Sequence, residues 1–382
     1  MTIYLNNAAS SFPKPPEVHE AIAECLATAP SHEGRTGLER KAGHATWECR
    51  ENLARLFHAP DPANIVLTSG ATEALNLAIL GSSLHGHVVT TAIEHNSVLR
   101  PLKKLQDARG ITLTVVPCDA NGWVDAESIA AAVREDTTAI VVNHCSNVTG
   151  AILDIGGIAR IASDRGVLSI VDASQSAGIV PIDVQESGVD LLAFAGHKSL
   201  YGIPGVGGLY LREPFRLEPL KVGGTGVRSD LIEQPRMMPM YYEAGTPNTP
   251  GIAALDAGVR FVLDHGVDEI RRRVRRLIAH LSEELRQVPE VIVHAPRAAA
   301  DSACVLSLNV ADLPCEEAGY MIEESFGIAV RTGLHCAPLI HRFIGSAPAG
   351  SIRVSPSCFT TDQEIDRFLD AVKTIATVGC AA

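Results

Sequence analysis

Lys198 stands in Phe194-Ala195-Gly196-His197-Lys198, directly after a mostly apolar run from Val189 to Phe194. Upstream, Ile170-Val171 leads into an acid, in Asp172-Ala173-Ser174-Gln175. An amine and a carboxylate delivered by two neighbouring strand ends are what pyridoxal 5′-phosphate (PLP) chemistry requires. The amine bonds the aldehyde carbon and the acid pairs with the pyridinium nitrogen. A phosphate dianion also needs N–H and hydroxyl donors. Ser69-Gly70-Ala71-Thr72-Glu73-Ala74 puts a glycine turn at a helix start, where the N–H groups of Ala71 and Thr72 and the helix dipole face an anion. On its own, a Gly followed by Thr is more often an ordinary helix cap; between a strand and a helix of this series it points to phosphate. His197 offers a phosphate contact or a ring contact, against a core histidine satisfied by the backbone. His95, in Glu94-His95-Asn96-Ser97, offers a flat ring for stacking on a cofactor and a proton carrier near neutral pH. A structural histidine at a strand end is the competing reading. Asn147, in Ser146-Asn147-Val148-Thr149-Gly150, offers a donor to the pyridine O3′, or is simply a turn residue.

Cys336 selects among reactions. A buried cysteine is usually an inert small hydrophobe, and that is the reading for the other eight of the nine cysteines. Cys336 instead follows a glycine turn in Arg331-Thr332-Gly333-Leu334-His335-Cys336, with His335 beside it and Arg331 close by. Cationic neighbours favour a nucleophilic thiolate. Zinc on His335, Cys336 and His341 is a rival that lacks a fourth ligand at metal spacing, so no metal is expected. Arg353, in Ser351-Ile352-Arg353-Val354, is a candidate fork for an α-carboxylate.

These residues must be positioned by an alternating chain. Strands are predicted at Asn64–Thr68, His87–Thr90, Leu113–Pro117, Ala139–Asn143, Leu168–Asp172 and Leu191–Phe194. Helices are predicted at Thr72–Leu80, Leu99–Ala108, Asp125–Arg134 and Gly156–Arg165. Apolar strands alternating with helices predict an α/β fold with a largely parallel sheet covered on both faces. Ligands bind such sheets outside the carboxyl ends of the strands, and the motifs above sit at those ends. After about Pro250 the pattern changes. Helices are predicted at Ile252–His265, Val267–Gln287 and Asp362–Thr377, with short strands at Val291–His294 and Val305–Leu308. This suggests a smaller α+β domain that the N-terminal arm joins. The run Arg271-Arg272-Arg273-Val274-Arg275-Arg276 reads as a solvated helix face, with Glu283 and Glu284 following.

At 382 residues the chain has room for two cores. A net charge of −12 argues against sequence-independent nucleic-acid binding. No signal peptide and no membrane span are expected. Scattered cysteines with no Cys-x-x-Cys pair fit a reducing cytoplasm.

Taken together, these segments resemble the cysteine desulfurases of the class V aminotransferase superfamily, closest to the Suf-like second group and to selenocysteine lyase-like enzymes. The resemblance rests on Tyr4-Leu5-Asn6-Asn7-Ala8-Ala9, Ser69–Glu73, Glu94-His95, Asp172–Gln175, Gly196-His197-Lys198, Ala244-Gly245-Thr246-Pro247-Asn248-Thr249 and Arg331–Cys336. It implies the PLP-dependent transferase fold type I, with a mainly parallel seven-stranded sheet. Residues 16–248 would form the large PLP-binding domain, and 1–15 plus 249–382 the small one. It implies conversion of L-cysteine to L-alanine, with sulfur held as a persulfide on Cys336 for an acceptor protein. Iron–sulfur cluster assembly is the family's common destination. Lys198 would be the Schiff-base lysine and the base at Cα, Asp172 the partner of the ring nitrogen, and Gln175 that of O3′. His95 would stack and carry protons, while Ala71, Thr72 and His197 would hold the phosphate. Thr246 would serve the phosphate of the other subunit of a homodimer. Asn147, Arg353 and Asn7 would hold the substrate.

Two positions depart from the family. Ala195 stands where a serine hydroxyl often contacts the phosphate, which predicts weaker PLP binding. Leu334 replaces a second histidine of many Suf-like members, and the segment from Cys336 to Arg353 is short. Slow turnover without an acceptor is the expectation. A selenocysteine lyase, another class V aminotransferase and a non-catalytic PLP-binding subunit are the alternatives.

Overall fold

The structure, a computed structural model, describes residues 2–28, 37–296, 298 and 301–379; for 37–43, 378 and 379 the description is of the backbone. The N-terminal arm contributes β1 (Ile3–Tyr4). Seven strands then build the central sheet: β2 (Ile65–Thr68), β3 (His87–Thr91), β4 (Thr112–Val116), β5 (Thr137–Asn143), β6 (Leu168–Asp172), β7 (Leu191–Ala195) and β8 (Gly207–Leu211). Their order is β2-β8-β7-β6-β5-β3-β4. Only β8 runs against its neighbours, so the sheet is mainly parallel, as the resemblance implies. Every residue of β3, β6, β7 and β8 is buried. That burial explains why β6 and β7 read as apolar runs rather than as an alternation. Each fully buried Val, Leu or Ile contributes about 1.5–3 kcal/mol.

The sequence reading had no strand at β8, because Gly205, Gly207 and Gly208 dilute its apolar pattern. Glycine is needed there for close approach. A Cβ on Gly207 would stand 2.6 Å from the Phe194 carbonyl oxygen and 2.8 Å from the Gly70 Cα. The glycine-rich strand therefore lets the Ser69-Gly70 turn lie directly against the sheet.

A second sheet follows, from β9 (Val291–His294), β10 (Leu306–Val310), β12 (Arg331–Gly333) and β13 (Ser351–Val354). It is antiparallel, in the order β12-β13-β10-β9. The short β11 (Ile328–Ala329) pairs in parallel with β1, and Asn6 bridges Ser355, so the N-terminal arm is stitched to the C-terminal part. The helices Val267–Leu285, Cys315–Phe326 and Asp362–Gly379 pack on this sheet and on one another. The arginine run lies on the first of them. Arg272 pairs with Glu269, and Arg276 with Asp362 at 2.7 Å, as a solvated face should. The preceding helix, Thr249–His265, packs against Pro16–Ala27 and Gly37–Phe57.

Candidate active site

The carboxyl ends of β2, β3, β5, β6 and β7 open into one cavity of about 300 Å³. Ala71, Thr72, His95, Asn147, Asp172, Gln175, His197, Lys198 and Arg353 all line it. Residues spread over 283 positions of the chain, from 71 to 353, are thus brought together by strand order alone.

The helix Ala71–Leu80 begins here. Its N-cap, Gly70, has φ 144°, a conformation glycine adopts without strain. Gly70 O accepts the N–H groups of Glu73 and Ala74. Among the described residues no group accepts from the N–H of Ala71 or Thr72, so the first turn presents two donors to the cavity.

Asp172 ends β6. Its Oδ1 accepts the Ser174 N–H at 2.9 Å and the Ser174 hydroxyl, which fixes the plane of the carboxylate. Gln175 is buried and donates Nε2–H to the Ala8 carbonyl at 3.0 Å, tying the N-terminal arm to the site. Burial pushes the Lys198 amine down to about 8, partly offset by Asp172 and reinforced by Arg353 and Arg331. A lysine so placed is a usable base near neutral pH. Burial holds His95 down at about 4. The Ser97 N–H, which can only donate, reaches His95 Nδ1 at 3.0 Å. The neutral ring therefore carries its proton on Nε2. His197 is likewise pushed down to about 4 by burial, then by Lys198, and its Nδ1 is buried with no hydrogen-bond partner.

Arg353 is 1% exposed. It donates to the Asn147 carbonyl at 3.0 Å and to Asn6 Oδ1 at 3.3 Å, while its Nε has no partner. Arg331 stands directly opposite it across β12 and β13, and both line the cavity. Like charges facing across a strand pair repel, and burial followed by Arg331 lowers Arg353 to about 9. Two facing guanidiniums make sense where an anion is to be bound. Arg331 was read from the sequence only as a neighbour of Cys336. The alternation Arg-x-Gly, which puts Arg331 and Gly333 on one face of a strand, was the available signal.

Cys336 is exposed and lies outside this cavity's wall, at its rim, with the Arg331 guanidinium donating to its Sγ at 3.6 Å. Its loop is pinned from below. Asn96 N–H donates to the Cys336 carbonyl at 2.7 Å, and Asn147 Nδ2–H donates to the His335 carbonyl at 2.7 Å. His335 and Cys336 both have left-handed backbone, φ 50° and 59°, a strained pair for residues other than glycine. The sequence places His335 as a cationic neighbour of the thiol, but its ring is buried away from it, on the Ser351 carbonyl at 3.0 Å. Burial lowers its pKa so far that it stays neutral. The cation beside Cys336 is Arg331. Among the described residues no group of three His, Cys, Asp or Glu side chains stands at metal-binding distance.

Two predicted residues are placed elsewhere. Asn7 does not line the cavity. Its Nδ2–H donates to the Ser355 carbonyl at 2.9 Å and its Oδ1 accepts the Phe12 N–H at 3.0 Å, so its amide is spent on the backbone, and the neighbouring Asn6 reaches Arg353 instead. Thr246 lines an adjoining cavity of about 270 Å³, with Arg50, Lys221 and Asn248.

The model of the aminotransferase class-V family matches residues 3–368. The chain belongs to the class-V aminotransferase family. Its relatives there include the cysteine desulfurase of Cronobacter sakazakii, 33% identical over 96% of this chain and 91% of that one. A probable cysteine desulfurase of Halalkalibacterium halodurans is 32% identical over 95% and 90%. Among solved structures, the apo cysteine desulfurase from Thermococcus onnurineus NA1 superposes with a TM-score of 0.92 at 32% identity. It covers 99% of this chain and 95% of that one. The Escherichia coli cysteine desulfurase CsdA gives 0.88 at 26% identity over the same shares.

Beside His95, the sequence marks Glu94 only as a strand-end residue. Glu94 is fully buried; its Oε1 accepts the Asn143 N–H at 3.0 Å and the Thr91 hydroxyl, and its Oε2 has no partner. Burial, then opposed by those two hydrogen bonds and assisted by Asp172, pushes its pKa from 4.5 up to about 8. The folded-state value lies above the unfolded one, so the folded protein holds the extra proton between them. That contribution to stability is full below about 4.5 and is lost as pH rises through about 8. Glu94→Gln keeps the accepting oxygen and cannot ionise. We expect the wild-type Tm to drop by about 4 °C more than that of Glu94→Gln between pH 6 and pH 9, read by thermal denaturation of the two proteins side by side.

Proposed function

We propose that this protein is a PLP-dependent cysteine desulfurase that converts L-cysteine to L-alanine and retains the sulfur as a persulfide on Cys336. The observation that carries the reading is the convergence of Lys198, Asp172, His95 and Arg353 on one cavity, with Cys336 at its rim on Arg331. The cavity's residues fit PLP. The unclaimed N–H groups of Ala71 and Thr72, the Thr72 hydroxyl and the orphaned His197 Nδ1 suit a phosphate. The Asp172 carboxylate suits a pyridinium, and Lys198 suits an aldehyde. Gln175 and Asn147 lie where further polar contacts to the cofactor or substrate are available, and His95 offers its ring face. Bound PLP supplies an electron sink that makes the Cα proton of an amino acid acidic.

The chain's own groups do the rest. Arg353, its fork held by Asn147 and Asn6, takes the α-carboxylate of L-cysteine. The Lys198 amine, brought down to about 8 and so partly neutral near pH 7, removes the Cα proton. His95 holds and returns a proton through Nε2, since Nδ1 is occupied. Cys336 Sγ bonds the substrate sulfur as the substrate's Cβ–S bond breaks, and Cβ takes up a proton to leave alanine. The test is alanine release from L-cysteine by the PLP-loaded protein, together with the mass of the Cys336 peptide after alkylation. Alanine with a +32 Da sulfur on that peptide, on the order of one sulfur atom, supports the reading; a yellow protein inert with L-cysteine and reductant points to the non-catalytic alternative.

The finer assignments follow from the same reading. A homodimer in which Thr246 serves the other subunit's phosphate accords with its place outside its own chain's cavity. A protein sulfur acceptor, slow turnover without one, a Suf-like subgroup and a cytoplasmic setting belong to the proposal. All eight cysteines among the described residues are free, and no helix among them is long and apolar enough to cross a membrane. Ala195, at the end of β7, lines the cavity without a hydroxyl. Ala195→Ser should restore one charge-assisted hydrogen bond to the phosphate, tightening PLP about tenfold, which dialysis against PLP-free buffer with absorbance of the retained cofactor will measure.

A further inference from the structure

Cys336 faces a second cavity. It lies between the helices Ala71–Leu80 and Asn96–Arg109, measures about 360 Å³, and shares Thr72, His95 and Ser97 with the first. Asn76, Asn96, Arg100, Lys104 and Cys336 complete the polar part of its wall, and among the described residues no carboxylate lines it. Arg100 and Lys104 are exposed, one helical turn apart on the same helix, and neither makes an ion pair among the described residues. On a chain of net charge −12, a carboxylate-free cavity holding two uncompensated cations beside an exposed thiol is a local reversal of sign. Clefts lined by one sign of charge concentrate ligands of the other.

We propose that this outer cavity is the acceptor site for a low-molecular-weight thiol bearing carboxylates, which Arg100 and Lys104 bind while its sulfur reaches Cys336. The proposal rests on the reading of Cys336 as the sulfur carrier. A cavity of this size lies in the range of small-ligand sites. Two cations reachable from one thiol match a dicarboxylate better than a single charge. The transfer balances without an added oxidant. The acceptor thiolate attacks the outer sulfur of the Cys336 persulfide, and a new S–S bond forms as the Cys336 S–S bond breaks. The acceptor departs as its own persulfide and Cys336 is left as a thiolate. The amino-acid substrate enters one cavity and the sulfur leaves through the other, with Cys336 between them.

The experiment loads PLP-bound protein with L-cysteine, removes the substrate, and times the loss of persulfide from the Cys336 peptide by mass. The acceptors are mercaptosuccinate, 3-mercaptopropionate, 2-mercaptoethanol and cysteamine, with rates corrected for thiolate fraction. At low salt mercaptosuccinate should be fastest, about tenfold over 2-mercaptoethanol, and cysteamine slowest, with the spread collapsing at high ionic strength. In Arg100→Glu/Lys104→Glu the order should reverse while loading by L-cysteine stays unchanged. The single changes Arg100→Gln and Lys104→Gln should each remove part of the preference. Rates that follow thiolate fraction alone, or an order untouched by the charge reversal, would overturn the acceptor site while leaving the desulfurase reading intact. A Cys336 that never acquires sulfur would remove both.

Discussion

Lys198→Ala is expected to lower alanine formation from L-cysteine by about four orders of magnitude, with the fold and the PLP cavity intact. The effect should fall on kcat, because among the described residues no other amine lines the inner cavity. Arg353 and Arg331 are guanidiniums, too basic to take a Cα proton. Lys198 is suited to the task because burial brings it to about 8 while Asp172, Arg353 and Arg331 adjust it. Its acidic limb should therefore appear in the pH profile of single-turnover alanine formation, with rates rising as pH approaches about 8. Lys198→Arg should fail equally, since it keeps the positive charge and loses the removable proton. Activity persisting in either variant would mean that another group removes the proton. Circular dichroism and PLP absorbance keep this separable from misfolding, since on the proposed reading Asp172, Thr72 and His197 would still hold the cofactor.

Much of this site was legible in the sequence because of one topological rule. In a parallel sheet the ends of different strands meet, so motifs far apart in the chain needed only a common placement at strand ends to be grouped. Asp172, Lys198 and His95 were found this way, and strands such as Leu168–Asp172 and Val291–His294 have the predicted bounds. Long-range orientation within the second sheet was not legible. Nothing local in Arg331 or Arg353 says that β12 and β13 pair them face to face. Nor does anything in Leu334-His335-Cys336 say that the imidazole turns inward to Ser351 while the thiol turns out. Asn6 and Asn7 differ by one step along an extended arm, and which amide reaches Arg353 follows from the Asn6–Ser355 bridge. Glu94 was noticed only as a strand-end residue, because burial, not spacing, sets its chemistry.

Cys336→Ala is expected to cut alanine formation from L-cysteine by about three orders of magnitude or more, while PLP content and the binding of L-cysteine stay near wild type. The separation follows from geometry. Cys336 lies outside the wall of the inner cavity and its thiol meets that wall at Arg331, so removing the thiol leaves Lys198, Asp172 and Arg353 where they are. What is lost is the nucleophile for the substrate sulfur, and Cys145, the thiol that does line the cavity, is no substitute. Burial holds Cys145 protonated, and its S–H is directed to the Gly150 carbonyl at 3.5 Å. Selenium discriminates further. A selenol ionises more readily than a thiol and its carbon bond is weaker, so the selenolate can release elemental selenium without an attacking sulfur, the C–Se electron pair staying on Cβ, which takes up a proton to leave alanine. We expect Cys336→Ala to keep alanine formation from L-selenocysteine within about tenfold of wild type. Equal alanine from L-cysteine in wild type and Cys336→Ala would instead take the sulfur-carrying role from Cys336 and favour a lyase. The single variant, assayed with both amino acids, therefore separates loss of the sulfur acceptor from loss of the elimination chemistry, which Lys198→Ala should abolish for sulfur and selenium alike.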